Sequence, residues 1–66
     1  MCEMTVRLQK NNTLKDLAHD VARFKVEKNG LHCFMPLGDE IFLENMELLE
    51  ADLLGHQLIV VEKSER

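Results

Sequence analysis

The stretch Met1-Cys2-Glu3-Met4-Thr5-Val6-Arg7-Leu8 decides the fold class. Its residues separate with a period of two: Cys2, Met4, Val6 and Leu8 fall on one side, with Glu3, Thr5, Arg7 and Gln9 on the other. A β-strand alternates its side chains in this way, whereas a helix gathers apolar residues at spacings of three and four. Residues 3–9 therefore read as a half-buried strand, ended by Lys10-Asn11-Asn12. Cys2 has two readings. Free cysteine packs like a small hydrophobe, so Cys2 fits as the first buried residue of an edge strand. It is also a thiol one peptide unit from an α-amine, which is a chelating pair.

The same alternation recurs outward from this strand. Ala22-Arg23-Phe24-Lys25-Val26 reads as a second strand, followed by Lys28-Asn29-Gly30. Asn-Gly is a strong hairpin signal because both residues tolerate positive φ, so residues 31–35 become the return strand. Pro36-Leu37-Gly38-Asp39 makes another turn and Glu40-Ile41-Phe42-Leu43 a fourth strand. After residues 44–52, Leu54-Gly55-His56 turns the chain into a last strand at 57–62, and Ser64-Glu65-Arg66 reads as a frayed tail.

Two segments compete with this pattern. Leu14, Leu17, Ala18 and Val21 stand at helical spacing, and Thr13 with Asp16 has the form of an N-cap with an acidic partner. At most a short helical turn near residues 14–20 is expected there, because the flanking alternation is strand-like. Glu47, Leu48, Leu49 and Glu50 also favour helix intrinsically. The expectation is a single all-β domain over residues 1–66: a small barrel-like or strongly bent antiparallel sheet of about five to seven short strands.

With 66 residues the chain buries only about 60% of its unfolded surface. Its core needs a staple, a metal or a partner, and dimerisation is the natural means of enlarging it. Phe34, Phe42, Ile59 and Val61 fall on faces expected to be polar, and are expected to form a second apolar surface that seeks cover. No leader-like apolar run opens the sequence and no stretch suits a membrane span, so a reducing cytoplasmic setting without a disulfide is expected.

The net charge is −4, with 12 acidic and 8 basic residues, and the basic ones stand singly, which speaks against nucleic-acid binding. No Gly-rich phosphate loop and no marked nucleophile–base pair is present, so the protein reads as no enzyme. Cys2, His19, His32, Cys33 and His56 contain no CxxC or HxxxH spacing, which leaves a zinc finger without support. Cys33 shares its face with Leu31 and Met35 and reads as a buried structural thiol. Met4, Met35 and Met46 read as core fillers rather than thioether ligands. His56 reads as a turn residue and His19 as part of a solvated stretch.

At the chain start, a metal held by the Met1 α-amine, the deprotonated Cys2 amide and the Cys2 thiolate closes two fused five-membered rings. Planar mixed nitrogen and sulfur ligation suits Ni(II) or Cu(II), whose d-electron count favours square-planar geometry. The Glu3 amide or carboxylate is a candidate for the remaining position.

A resemblance bears on this choice. Met1-Cys2 runs straight into an alternating strand. An Asn-Gly-type hairpin follows a Val/Phe-containing strand, and Ala51-Asp52-Leu53 precedes the terminal Leu58-Ile59-Val60-Val61-Glu62. In these features and in length the chain resembles the CooT family, small nickel-binding accessory proteins of carbon monoxide dehydrogenase. The resemblance implies a small all-β homodimer whose Cys2 binds Ni(II), serving maturation of the nickel-containing active site of carbon monoxide dehydrogenase. Cys2 carries over from the family's one signature, while Met1 and Glu3 follow from the chelate geometry. The expected partners are a second copy, and carbon monoxide dehydrogenase or its maturation proteins. The alternative is a small β-barrel interaction module, RNA-binding by class, in which Cys2 is only structural.

Overall fold

A computed structural model describes residues 3–63 and contains seven β-strands: β1 (Met4–Lys10), β2 (Thr13–Val21), β3 (Arg23–Glu27), β4 (Gly30–Phe34), β5 (Glu40–Glu44), β6 (Met46–Asp52) and β7 (Gln57–Glu62). They form two sheets. Four strands lie in the order β2-β1-β7-β6 and three in the order β3-β4-β5. The expected all-β architecture of bent sheet is present, without closure into a barrel. Val6, Leu8, Ala18, Val21, Leu31, Cys33, Leu58 and Val60 make the buried core, contributed by both sheets.

The larger sheet is mixed rather than wholly antiparallel. β1 pairs with β7 in parallel, Val6 opposite Leu58 and Leu8 opposite Val60. The reason lies in the residues of β7, where Leu58, Ile59 and Val60 are consecutive and all buried. Such a run suits a strand inside a sheet and covered on both faces, as parallel strands usually are.

The helical turn expected near residues 14–20 is absent, because this segment is the extended strand β2. Its apolar spacing has a different cause. Val6 pairs with Ala18 but Met4 with Val21, so β2 spends three residues where β1 spends two. The register also shifts between Val6 and Arg7, where Ala18 is followed by Asp16 as the next partner. Asp20, at φ 59°, carries the left-handed conformation of the first irregularity. Ala18 and Val21 thus both face the core at a spacing of three, which imitates a helix. Residues 46–52 are likewise a strand, with one irregularity between Leu48 and Glu50.

The turns also divide differently from their sequence signals. Asn11 and Asn12 (φ 53° and 65°) form the two-residue connection between Lys10 and Thr13, the double positive φ of a type I′ hairpin. The Lys28-Asn29 turn joins Glu27 to Gly30 without a positive φ at Asn29 or Gly30. Gly30 is needed instead for close approach. A Cβ there would collide with the Leu43 carbonyl oxygen and come within 2.9 Å of Phe42 Cζ and 3.1 Å of Glu44 Cα. The two sheets are tied at Asn45 (φ 62°), whose N–H donates to the Asn29 carbonyl at 2.7 Å and whose carbonyl accepts from Lys63 N at 3.0 Å. The Lys63 ammonium also donates to the Lys28 carbonyl.

Candidate metal site at the head of the first strand

Met1 and Cys2 lie outside the described residues, as does the tail at Ser64–Arg66. Glu3 is the first described residue, half-buried and one step ahead of β1. The head of that strand is fixed on both sides: Met4 pairs with Val21, and Thr5 N donates to the His56 carbonyl at 2.9 Å. Glu3 borders an open groove shared with His19, Asp20, Met35 and Asp39. The irregularity in β2 supplies His19 and Asp20, and the turn after β4 supplies Met35 and Asp39. In that turn Met35 N donates to the Asp39 carbonyl at 2.8 Å, and Gly38 sits at φ 103°.

His19 is held loosely. Its Nδ1 lies 3.5 Å from Thr5 Oγ1 and its Nε2 3.6 Å from Asp16 Oδ2, both at the long limit for polar contact, and its side chain is 63% exposed. From Asp16 a polar ribbon crosses the outer face of the larger sheet. Asp16 Oδ1 lies 3.0 Å from Arg7 Nε, and Arg7 Nη1 donates to Gln57 Oε1 at 2.8 Å. Gln57 Nε2 donates to Asp52 Oδ2 at 3.0 Å, while Gly55 N donates to Asp52 Oδ1 at 2.9 Å. The Gly55 and Gln57 donors hold the Asp52 carboxyl below its ordinary pKa by stabilising the charged form.

Among the described residues no group of three or more His, Cys, Asp or Glu side chains is arranged to hold a metal. Cys33 is fully buried in the core, and loss of solvent raises its thiol pKa, so it stays a neutral structural thiol as its position in the sequence implies. His56, at φ 55°, is a turn residue. His32 lies on the outer face of the smaller sheet, stacked on Phe34 at 4.3 Å between ring centroids and edge-on to Phe42 at 5.9 Å. Its Nε2 lies 2.7 Å from Glu40 Oε1 and its Nδ1 3.5 Å from Glu27 Oε2, so its two nitrogens point at carboxylates on opposite flanking strands.

The single second apolar surface expected from Phe34, Phe42, Ile59 and Val61 does not form. Phe34 and Phe42 belong to the smaller sheet and Ile59 and Val61 to the larger. Phe34 is covered by the Arg23 guanidinium, 3.9 Å above its ring, and by His32. Ile59, register partner of Arg7, is only 5% exposed. Alternation placed these residues on the outer faces, where Phe34 lies under a long polar side chain and Phe42 stays exposed.

His19 does not stand out in the sequence, because an isolated histidine in a charged stretch gives no signal. Its place in the groove follows from the irregularity in β2. The only trace of that irregularity is apolar spacing of three within an otherwise alternating chain. No helix among the described residues is long and apolar enough to cross a membrane.

No family model matches the sequence, and no curated protein matches it at the sequence level. Among solved structures, the crystal structure described as that of a "putative CooT from Carboxydothermus hydrogenoformans" superposes with a TM-score of 0.83. The match covers 96% of this chain and 100% of that one, at 13% sequence identity. Near-complete coverage of both chains at so low an identity is a likeness of architecture, and the chain has a CooT-like fold.

Proposed function

We propose that this protein binds Ni(II) at its N-terminus and serves as a metallochaperone or nickel store for maturation of the nickel-containing active site of carbon monoxide dehydrogenase. It acts in the cytoplasm as a homodimer, in contact with carbon monoxide dehydrogenase or its maturation proteins, and without catalytic chemistry of its own. The observation that carries this reading is the CooT-like fold with Met1-Cys2 directly ahead of its first strand.

The donor set fits the metal. The Met1 amine, Cys2 amide nitrogen and Cys2 thiolate are linked through rings whose size is fixed by covalent structure, so binding them orders few additional bonds. The deprotonated amide and thiolate are strong donors suited to planar Ni(II). Glu3 stands beside an open groove rather than within the core, so a metal there displaces none of the buried apolar residues.

Titration of untagged protein with Ni(II), followed by ultraviolet and visible absorption, tests the reading. Thiolate-to-nickel charge-transfer bands and the d–d bands of a planar site are expected. Cys2→Ser should abolish them and tight binding, while Cys33→Ser keeps both. Equal losses in the two variants would refute a terminal chelate. Extending the N-terminus with an uncleaved tag should alter spectrum and affinity by removing the amine, and sedimentation should show a dimer at micromolar concentration. Absence of all nickel bands would leave a small β interaction module in which Cys2 is only packed.

A further inference from the structure

Val26 stands in unusual surroundings for its place in the smaller sheet. Its register partner in β4 is Leu31, which is fully buried, and its β3 neighbour on the same face, Phe24, packs against the core. Val26 itself is 61% exposed. β3 is an edge strand, and among the described residues no other strand pairs with its free side. Beside it Met4, Val21, Phe24 and the exposed Leu53 line an open groove. Resting on the homodimer proposed above, we infer that two copies join through β3. The two strands run antiparallel across a two-fold axis at Lys25 and make one continuous sheet of order β5-β4-β3-β3-β4-β5.

Charge selects this edge and its register. A two-fold antiparallel contact sets each strand against its own reverse, so an edge of one charge sign repels itself. β5 carries Glu40 and Glu44, and β6 carries Glu47, Glu50 and Asp52, with no basic residue on either. β2 is broken by its register irregularities, which bend and twist an edge away from flat pairing. β3 is the one edge that is regular and carries both signs, with Arg23 and Glu27 at its two ends on the same outer face. With the axis at Lys25, Arg23 lies opposite Glu27 of the second copy, and the pair occurs twice. The Arg23 guanidinium lays its flat face 3.9 Å above the Phe34 ring, which leaves its N–H edge for a carboxylate. Lys25 meets its own copy at the axis, but each ammonium stands diagonal to Glu27 of the other copy, within reach of so long a side chain. On the core-facing side the same register sets Val26 opposite Phe24 of the other copy. Each exposed Val26 then packs on the apolar groove beside that Phe24, removing both from water.

The test is sedimentation equilibrium of untagged, metal-free protein over a range of concentrations, so the outcome does not depend on nickel. It compares wild type with Arg23→Glu, Glu27→Arg, the double variant Arg23→Glu/Glu27→Arg, Val26→Lys and, as a control on the β6 edge, Glu50→Lys. Each single reversal at β3 turns two attractive pairs into two repulsive ones and should raise the dimer dissociation constant about tenfold or more. The double variant should return it close to the wild-type value, which damage to the fold would not do. Val26→Lys should give a monomer with wild-type circular dichroism, since that side chain is exposed within one copy. Glu50→Lys should dimerise like wild type. Dimers that withstand both single reversals and Val26→Lys would overturn the β3 interface while leaving a homodimer standing. A double variant as weak as the single ones would overturn the register. Wild-type protein that stays monomeric at every concentration would overturn the homodimer reading and this interface with it.

Discussion

Gly30→Ala is the most direct test of how the smaller sheet is built. Gly30 opens β4 opposite Glu44 of β5, and the backbone atoms nearest an added methyl are the Leu43 carbonyl oxygen and Glu44 Cα. Both belong to the neighbouring strand, so no side-chain rotation relieves the clash, and β4 and β5 must move apart. Overpacking of a close-packed site costs about 1–3 kcal/mol, and a backbone obstacle belongs at the upper end. Because Gly30 has no positive φ, the alanine meets no conformational penalty and gains about 0.4–1 kcal/mol through the unfolded chain. The net loss is about 2 kcal/mol, a large share of the roughly 3–10 kcal/mol expected for a domain of this length. With a urea slope of about 1 kcal/mol per molar, the unfolding midpoint should fall by about 2 M with the slope unchanged. A midpoint equal to or above wild type would refute the close-approach argument and mean that Gly30 is retained for some other reason.

Three further outcomes are expected. Asn12→Ala should cost about 1–2 kcal/mol because a Cβ-bearing residue without a local polar group resists the φ of 65° there, whereas Asn12→Gly should be close to neutral, as compared by urea unfolding. Cys33 should resist thiol-directed reagents in the native protein and react on unfolding. Its raised folded pKa means its contribution to stability is full below the unfolded value near 9.0 and fades as pH rises through the higher folded value, so Cys33→Ala should flatten the alkaline limb of a stability–pH curve. Asp52 has the opposite sign: its folded pKa is depressed, so its contribution is present above the unfolded value near 3.8 and is lost as pH falls through the lower folded one. The stability gap between wild type and Asp52→Asn should close in acid.

The strands were legible where burial alternates and pairing is regular, as at residues 40–43, because a period of two leaves a direct trace in polarity. The trace fails where the backbone itself departs from that period. In β2 the extra residues bring Ala18 and Val21 to the same face, and the sequence then shows helical spacing without a helix. The parallel pairing of β1 with β7 is a long-range choice, signalled only by the unbroken apolar run of β7. At the hairpin of residues 27–30, Asn-Gly located the turn but misstated its geometry, since Gly30 answers to the close approach of β5 rather than to the turn. For the candidate site, the amine, amide and thiol groups of Met1 and Cys2 that the proposed chelate uses are legible without any structure. The place of His19 beside Glu3 is not, because it depends on register rather than on motif.

The parallel β1–β7 pair also orders events in biosynthesis. The first strand takes its interior position only through a strand made nearly the whole chain later, and the Thr5 N–H likewise waits for the His56 carbonyl as its acceptor. On the ribosome, β1 and β2 emerge early as a hairpin with one long edge open, and that edge waits until residues 57–62 have cleared the exit tunnel. Such non-local pairing is the slow kind, reached only after distant segments meet. A polypeptide interrupted before β7 would therefore display Met1-Cys2-Glu3 on an unanchored strand with an aggregation-prone edge. In this topology a firmly seated first strand is a mark that β7 has been made and has paired.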